Sequence, residues 1–434
     1  MSKNIQIIAI ILSICIGCSS EPEINIKASI GKYNLANEIN AKISEEHFFQ
    51  DQAIKNINPR LGKALIKQLD SQKIYFTKNE ILYFTNKFQS SADGVEIAAS
   101  YELINLYFNR LIEATKYQIK VIQKKDFDFS EVENILIDND LQEFRETNLD
   151  LKEIWVKLAK NDVLTSMLTD KTEDEAVELI SKRYKNRLRR ISQRNEEDIF
   201  SIVMNNLTGL FDPHSSYMSP KSAEDFEMTM SLNLEGIGAL LTTEDDYPII
   251  VSVVPGGPAE KSGKINPDDK IVKVRQIKED KVDPVDVVGW RIDEVVQLIR
   301  GEAGTQLELE IIPAKTEDLS DRKWVLLTRE EVKLEEQAAK FLIVDAAQGE
   351  NNYKIGIIDL PAFYIDFNAW RDRDPDFRSS SKDVEDILNK FKLANVDAVI
   401  VDLRGNSGGS LYEANKLTGL FVSSGPTLQV KESN

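Results

Sequence analysis

The sequence predicts a multidomain fold in three successive parts: all-helical, then β-rich, then α/β. Three observations carry this. From Glu21 to about Thr208, apolar residues recur at helical spacing. From Phe226, short apolar runs are punctuated by glycine and proline, as at Pro255-Gly-Gly-Pro258. From Trp324, strand-like runs alternate with helical segments. A length of 434 residues agrees with two or three domains.

Composition removes several functional classes. With 42% hydrophobic residues the chain is globular. A formal charge of −18 opposes nucleic-acid binding, because nothing offsets phosphate repulsion. The only cysteines are Cys15 and Cys18, and the only histidines His47 and His214, so neither a His/Cys zinc site nor any other metal or cofactor is expected.

Residues 1–18 read as a targeting segment, with Lys3 followed by the apolar run Ile5 to Ile16, too short to span a bilayer. Cys15-Ile16-Gly17-Cys18 resembles a bacterial lipobox with Cys18 as the lipid acceptor, although Cys15 stands where leucine is usual. Plain cleavage near Ser20 is the alternative. Both imply export, to the periplasm or cell envelope, and a lipid anchor on Cys18 is the only membrane attachment expected.

Residues 19–222 form the helical part. Tyr101 to Lys124 carries Leu103, Ile104, Tyr107, Leu111, Ile112 and Ile119 on one face, and Asp174 to Gln193 repeats the pattern through Val177, Ile180, Tyr184, Leu188 and Ile191. The basic run from Lys182 to Arg190 reads as a solvated face. Asp138-Asn-Asp140 and Asn161-Asp162 are expected to be turns. At Gly209 to Pro220 the helices give way to a connector broken by Pro213 and Pro220. His214 is adjacent to Ser215, and neighbours in an extended segment point apart, so it reads as a connector residue, not as half of a catalytic pair.

Residues 223–315 form the β-rich module. Leu234 to Leu241 is a glycine loop entering a strand, Pro248 to Val254 a second strand, Ala259 to Gly263 a helical turn, and Lys270 to Val274 a third strand. Ile292 to Ile299 is a helix and Gln306 to Ile312 a further strand. An exposed edge beside a glycine loop suits an extended peptide added as a strand, its carboxylate held by loop amides. Equally, the glycines could only shape turns.

Residues 316–434 form the α/β part. Trp324 to Thr328 and Val332 to Leu334 are short strands, Lys354 to Leu360 a buried one, and a helix from Ser381 or Lys382 carries Val384, Ile387, Leu388 and Phe391. Val396 to Arg404 reads as a parallel strand buried on both faces, and Leu411, Ala414, Leu417 and Leu420 as the apolar stripe of a helix. Thr427 to Val430 reads as a last strand. The intervening turn Gly405-Asn-Ser-Gly-Gly409 presents backbone N–H groups at a strand's carboxyl end, where an anion or developing oxyanion could sit. An ordinary crossover turn has the same pattern.

Glu235-Gly-Ile-Gly238, Val254-Pro-Gly-Gly-Pro-Ala259, Ser262-Gly263 and Asp268-Asp-Lys-Ile271 resemble a PDZ domain of bacterial processing proteases. With Asp286-Val-Val-Gly-Trp290, Val295 to Gly301, Asp212-Pro-His-Ser-Ser-Tyr217, Leu69-Asp70 and Ile74-Tyr-Phe76, and Asp402-Leu-Arg-Gly-Asn-Ser-Gly-Gly409, the chain from about residue 30 resembles the tail-specific, or C-terminal processing, serine protease family. The resemblance implies an α-helical N-terminal domain, a PDZ domain and an α/β peptidase core. It implies that Gly236, Ile237, Gly238 and Ala239 bind a substrate's C-terminus, and that Gly408 and Gly409 shape the oxyanion region. Expected partners are C-terminal segments of exported or misfolded proteins, with a possible lipoprotein adaptor.

In that family a serine in a Ser-Ala-Ser-Ala-Ser-Glu type segment and a lysine in a Gly-Lys-Gly type segment follow the turn. Neither segment occurs in this sequence, so no catalytic residue is assigned and the α/β core is expected to be incomplete, truncated before the dyad. Ser407 sits in a literal G-x-S-x-G pattern, but no histidine follows it and only Lys416 and Lys431 do. It is not expected to be the nucleophile. A catalytically inactive PDZ adaptor for exported C-termini is the alternative function, and a helical scaffold holding partners at the membrane surface is a third.

Overall fold

The computed structural model describes residues 23–48, 57–91, 94–136, 139, 141–278, 282–316, 318, 320–349 and 351–429. Cys18 and the rest of the targeting segment lie outside the described residues. Two compact units divide between Tyr217 and Met218. No helix among the described residues is long and apolar enough to cross a membrane.

The first unit contains seven described helices: α1 (Ile30–Glu46), α2 (Ile57–Leu69), α3 (Lys78–Gln89), α4 (Ile97–Lys124), α5 (Asn148–Met167), α6 (Glu173–Ser192) and α7 (Glu196–Thr208). Local chemistry sets their starts. Thr77, Thr147, Thr172 and Asn195 each make a capping box with Glu80, Asp150, Glu175 and Asp198. Leu61, Leu65, Leu103, Ile104, Phe200, Val203 and Leu207 fill the main core.

Two details set this unit's termini. Asn109 pairs with the Ile24 backbone (N–H to Oδ1 2.8 Å, Nδ2 to O 2.9 Å), and Asn105 pairs likewise with Ile26 (3.1 and 2.8 Å). Four helical residues rise about 6 Å and two extended residues about 6.6 Å, so the two repeats match. After α2, buried Asp70 accepts the N–H groups of Ile74, Tyr75 and Phe76 at 2.8–2.9 Å, while Trp155 Nε1–H donates to the Ile74 carbonyl at 2.8 Å.

Asn161-Asp162 is not a turn: it lies inside α5. Asp162 accepts the Tyr184 hydroxyl of α6 at 2.7 Å, a tertiary bond that outweighs its poor helix propensity. Of the other expected turn, residues 138 and 140 fall outside the described residues.

The second unit begins with α8 (Pro220–Ser231). Strand β1 (Asn233–Gly236) leads to β2 (Ala239–Glu244), β3 (Tyr247–Val253), α9 (Pro258–Ser262), β4 (Lys270–Ile277), β5 (Val285–Asp286), α10 (Ile292–Ile299), β6 (Gln306–Ile312), β7 (Lys323–Thr328) and β8 (Glu330–Lys333). A sheet of order β2-β3-β4-β6-β7, with β5 on β4, packs on α10 through Ile250, Val274, Val295, Ile299, Leu307 and Leu309. Trp324–Thr328, read from sequence as the start of the α/β part, is instead this sheet's edge, paired along β6. β1 and β8 form a separate antiparallel pair, Gly236 opposite Glu330.

The α/β part holds β9 (Lys340–Gln348), β10 (Asn351–Asp359), α11 (Phe367–Arg371), α12 (Ser380–Leu393), β11 (Ala398–Asp402) and α13 (Leu411–Gly419). β10 pairs parallel with β11 across the α12 crossover, as alternation implied, but antiparallel with β9, so the sheet is mixed. On one face the Phe391 ring of α12 occupies the space above Gly356, where an added Cβ would fall 2.3 Å from it. On the other face Leu342, Ile357 and Ile400 stand in register, with Leu342 50% and Ile400 49% exposed.

β11 is therefore not buried on both faces. It is a sheet edge among the described residues, with helix cover on one side only. Leu411 is likewise exposed; the buried stripe of α13 is Glu413 and Leu417, flanked by Ala414 and Leu420. Residues 427–429 form no strand, and Val430 lies outside the described residues.

Candidate functional site

The loop between β1 and β2 is shaped by its carbonyls. Ile237 O accepts from Ala259 N–H and Gly238 O from Val254 N–H, both at 2.8 Å. In a trans peptide the N–H points opposite to the C=O, so fixing Ile237 O inward turns the Gly238 N–H outward. The N–H groups of Ile237 and Gly238 donate to no atom among the described residues. Gly238 has φ +68°, and a Cβ there would sit 3.2 Å from Gly257 Cα, so this is a position for glycine. The Ile237 side chain is core, leaving only its backbone for recognition. Ala239 opens β2, which pairs only with β3, so its other edge is open among the described residues. Leu240 on that strand is 58% exposed.

Helix α10 shares the core beneath β2, and its C-terminal end is fixed by Arg329, which is buried. That guanidinium donates to the Ile299 and Leu298 carbonyls at 2.8 and 3.1 Å, to Thr305 Oγ1 at 2.9 Å and to Gln276 Oε1 at 2.7 Å. It thus satisfies carbonyls that a helix end leaves unpaired. Arg300 follows: its Cα and Cγ lie 3.8 Å from the position of a Cβ on Gly236, and its guanidinium pairs with Asp225 at 2.6 Å. A cleft of about 800 Å³ opens here, lined by Asn233, Glu235, Arg300, Glu302 and Asp366 among others.

The second place is the glycine turn after β11. Its backbone is laced to residues 360–363. Ser407 N–H donates to Pro361 O (3.0 Å), Phe363 N–H to Gly408 O (2.8 Å), and Ser410 N–H to Phe363 O (2.8 Å). Asn406 Nδ2 reaches Leu360 O, and its Oδ1 accepts the Gly408 N–H, both at 2.8 Å. Of the two candidate oxyanion donors, Gly408 is therefore committed within the turn. The Gly409 N–H has no acceptor among the described residues. Gly409 has φ +137°, and a Cβ there would lie 2.4 Å from Phe363 O, so no side chain fits. At the strand end Arg404 grips Asp402 through Nε and Nη2 (2.9 and 2.6 Å), holding its carboxyl down to about 2.

Ser407 Oγ is 3.5 Å from Pro361 O, whereas the Lys416 ammonium lies over the Tyr412 ring at 4.9 Å, so neither activates the other. His214 is 92% exposed in its side chain. The histidine that makes a short contact is His47, 2.8 Å from Asp212, a pairing across 165 residues that no local pattern signals.

A β module with an open edge strand and outward loop amides, joined to a mixed α/β sheet with a glycine turn, has the architecture of a PDZ-bearing peptidase. Family models bear this out: tail specific protease N-terminal domain matches residues 39–221, PDZ domain residues 226–312, and Peptidase family S41 residues 354–434. The chain is 32% identical over 448 residues to the tail-specific protease of Haemophilus influenzae, covering 100% of this chain and 61% of that protein. It is 28% identical over 277 residues to the carboxy-terminal processing protease CtpA of Bacillus subtilis, covering 63% of this chain and 52% of that one. The chain thus spans less than two thirds of these relatives. Among solved structures it resembles the PDZ domain of a carboxy-terminal protease from Vibrio cholerae in complex with peptide (44% identity, 24% of this chain, 99% of that one, TM-score 0.21). It also resembles the photosystem II D1 C-terminal processing protease (19% identity, 55% of this chain, 58% of that one, TM-score 0.27). The chain belongs to the tail-specific, or C-terminal processing, protease family.

Proposed function

We propose that this chain captures the C-termini of exported polypeptides through the loop Gly236–Ala239 and the open edge of β2, for cleavage by a serine-type peptidase of the Ser/Lys kind. The N–H groups of Ile237 and Gly238, which donate to no atom among the described residues, carry this reading. Two adjacent amides at the end of an open strand edge offer a carboxylate the charge-assisted bonds it loses on leaving water, while the edge supplies ladder bonds to the preceding residues. The Gly409 N–H is the oxyanion candidate, with Gly408 holding the turn's shape. Neither Ser407 nor Lys416 is given a catalytic role. Cleavage is carried over from the family, and capture rests on the loop itself. Export to the cell envelope, with Cys18 lipidated and a lipoprotein adaptor as a possible partner, belongs to the same reading, and the sequence of residues 1–18 supports it.

Titration of the purified chain with a labelled peptide ending in apolar residues tests capture. A free carboxylate is expected to bind at least about tenfold more tightly than the same peptide amidated, the loss of about 1.4 kcal/mol or more of charged hydrogen bonding. Equal affinity for the two would refute capture at this loop.

A further inference from the structure

Helix α12 begins without a local cap. Ser379 stands at its N-cap position, but its side chain makes no cap hydrogen bond. The missing acceptor comes from another helix. Glu413 of α13, wholly buried, accepts the Ser381 N–H at 2.7 Å and the Ser380 hydroxyl at 3.2 Å, both through Oε2. Its Oε1 has no partner among the described residues.

Burying a carboxylate is costly unless it is hydrogen-bonded, and both bonds to Glu413 come from the first turn of α12. Here it closes a ring. From the turn, Ser410 N–H binds Phe363 O; the next residue, Tyr364, accepts Ser380 N–H through its carbonyl at 2.9 Å; Ser381 N–H binds Glu413; and Glu413 N–H returns to Ser410 Oγ at 3.4 Å. Tyr364, Ser380, Ser381, Ser410 and Glu413 are all buried.

We propose that Glu413 is a positioning residue for the glycine turn: by capping α12 from α13, it fixes the direction of the Gly409 N–H. The consequence for catalysis rests on the peptidase reading above; the ring itself does not. Without the carboxylate, the hydrogen-bonded link from α13 to the start of α12 is lost, and the Ser381 N–H there is left unpaired in a dry environment. Glutamine has the same reach, keeps the acceptor for Ser381, and places its NH₂ where Oε1 already lacks a partner.

Hydrogen–deuterium exchange on the full chain tests this. In Glu413→Ala, amides of residues 380–384 and 406–411 are expected to exchange about a hundredfold faster, while those of β3, β4 and β6 keep their wild-type rates. Glu413→Gln is expected to stay within about threefold of wild type at every one of these amides. Wild-type protection of residues 406–411 in the alanine variant would overturn the proposal. So would loosening in the glutamine variant equal to that in alanine. Should the alanine variant fail to fold, Glu413→Asp, one methylene short of Ser381, takes its place. Loosening of 406–411 in Asp but not Gln supports the proposal, and equal protection in both refutes it. Exchange reads the ring whether or not the chain captures peptides, so the two readings fail separately.

Discussion

Nε2 of His47 lies 2.8 Å from Oδ2 of Asp212, and the His47 ring meets Phe211 edge-on at 5.6 Å. Asp212 also accepts the Ser215 hydroxyl at 2.6 Å and the His214 and Ser215 N–H groups at 2.7 and 3.0 Å. One carboxylate thus gathers the residue that caps the end of α1 and the connector after α7.

The Ser215 hydroxyl, then His47 and the His214 amide, hold the Asp212 carboxyl far below its ordinary 3.8. A depressed acid contributes stability that is present above its unfolded pKa and lost as pH falls toward the folded one. Asp212→Ala is expected to melt below wild type at pH 7, and the gap should narrow between about pH 4 and pH 2. Thermal melts across that range check it; a gap independent of pH contradicts it.

Asp70→Ala strips acceptors from three N–H groups at once. At about 1–3 kcal/mol per buried unpaired group, the first unit should lose at least about 3 kcal/mol. At about 2–4 °C per kcal/mol, its Tm should fall by roughly 10 °C. Burial pushes the Asp70 carboxyl upward against the pull of those amides, so Asp70→Asn, keeping one acceptor oxygen, should fall between alanine and wild type.

Gly408 and Gly409 should respond differently to alanine. A Cβ on Gly408 meets nothing within 4 Å, so Gly408→Ala pays only for its positive φ, about 1–2 kcal/mol. Gly409→Ala drives Cβ into the Phe363 carbonyl and must break the bridge between those residues. Chemical denaturation should rank Gly409→Ala well below Gly408→Ala; equal losses would mean the turn relaxes freely.

Arg329→Met removes the donors that close α10 while roughly preserving bulk. Leaving the Ile299 and Leu298 carbonyls and Gln276 Oε1 without this donor should cost about 3 kcal/mol. Urea unfolding followed at Trp290 and Trp324 checks this, and a midpoint within error of wild type would mean water replaces the guanidinium.

Much of the second unit was legible because its signals are local. Ile292–Ile299 and Gln306–Ile312 fall where periodicity and the flanking glycines put them. What escaped is tertiary. β9 was not foreseen, Asn161-Asp162 is helical because Tyr184 reaches it, and Ile400 reads as buried although its sheet face lacks cover among the described residues. The loop glycines draw attention to two segments, but which amides are left to donate depends on Val254, Ala259 and Asn406, partners that residue type alone does not reveal.

The β1–β8 pair gives the PDZ-type module adjoining ends, with Gly236 directly across from Glu330. A module so hinged can be lifted out whole. Splicing residue 236 to 330 through a two-residue turn would leave a plain hairpin where about ninety residues had been, at the loss of the pairs that Asp225 and Lys221 of α8 make with Arg300 and Asp293. The same geometry means that a pull applied at the loop after β1 passes into that short ribbon and into the Arg300–Asp225 pair, the two links nearest to it.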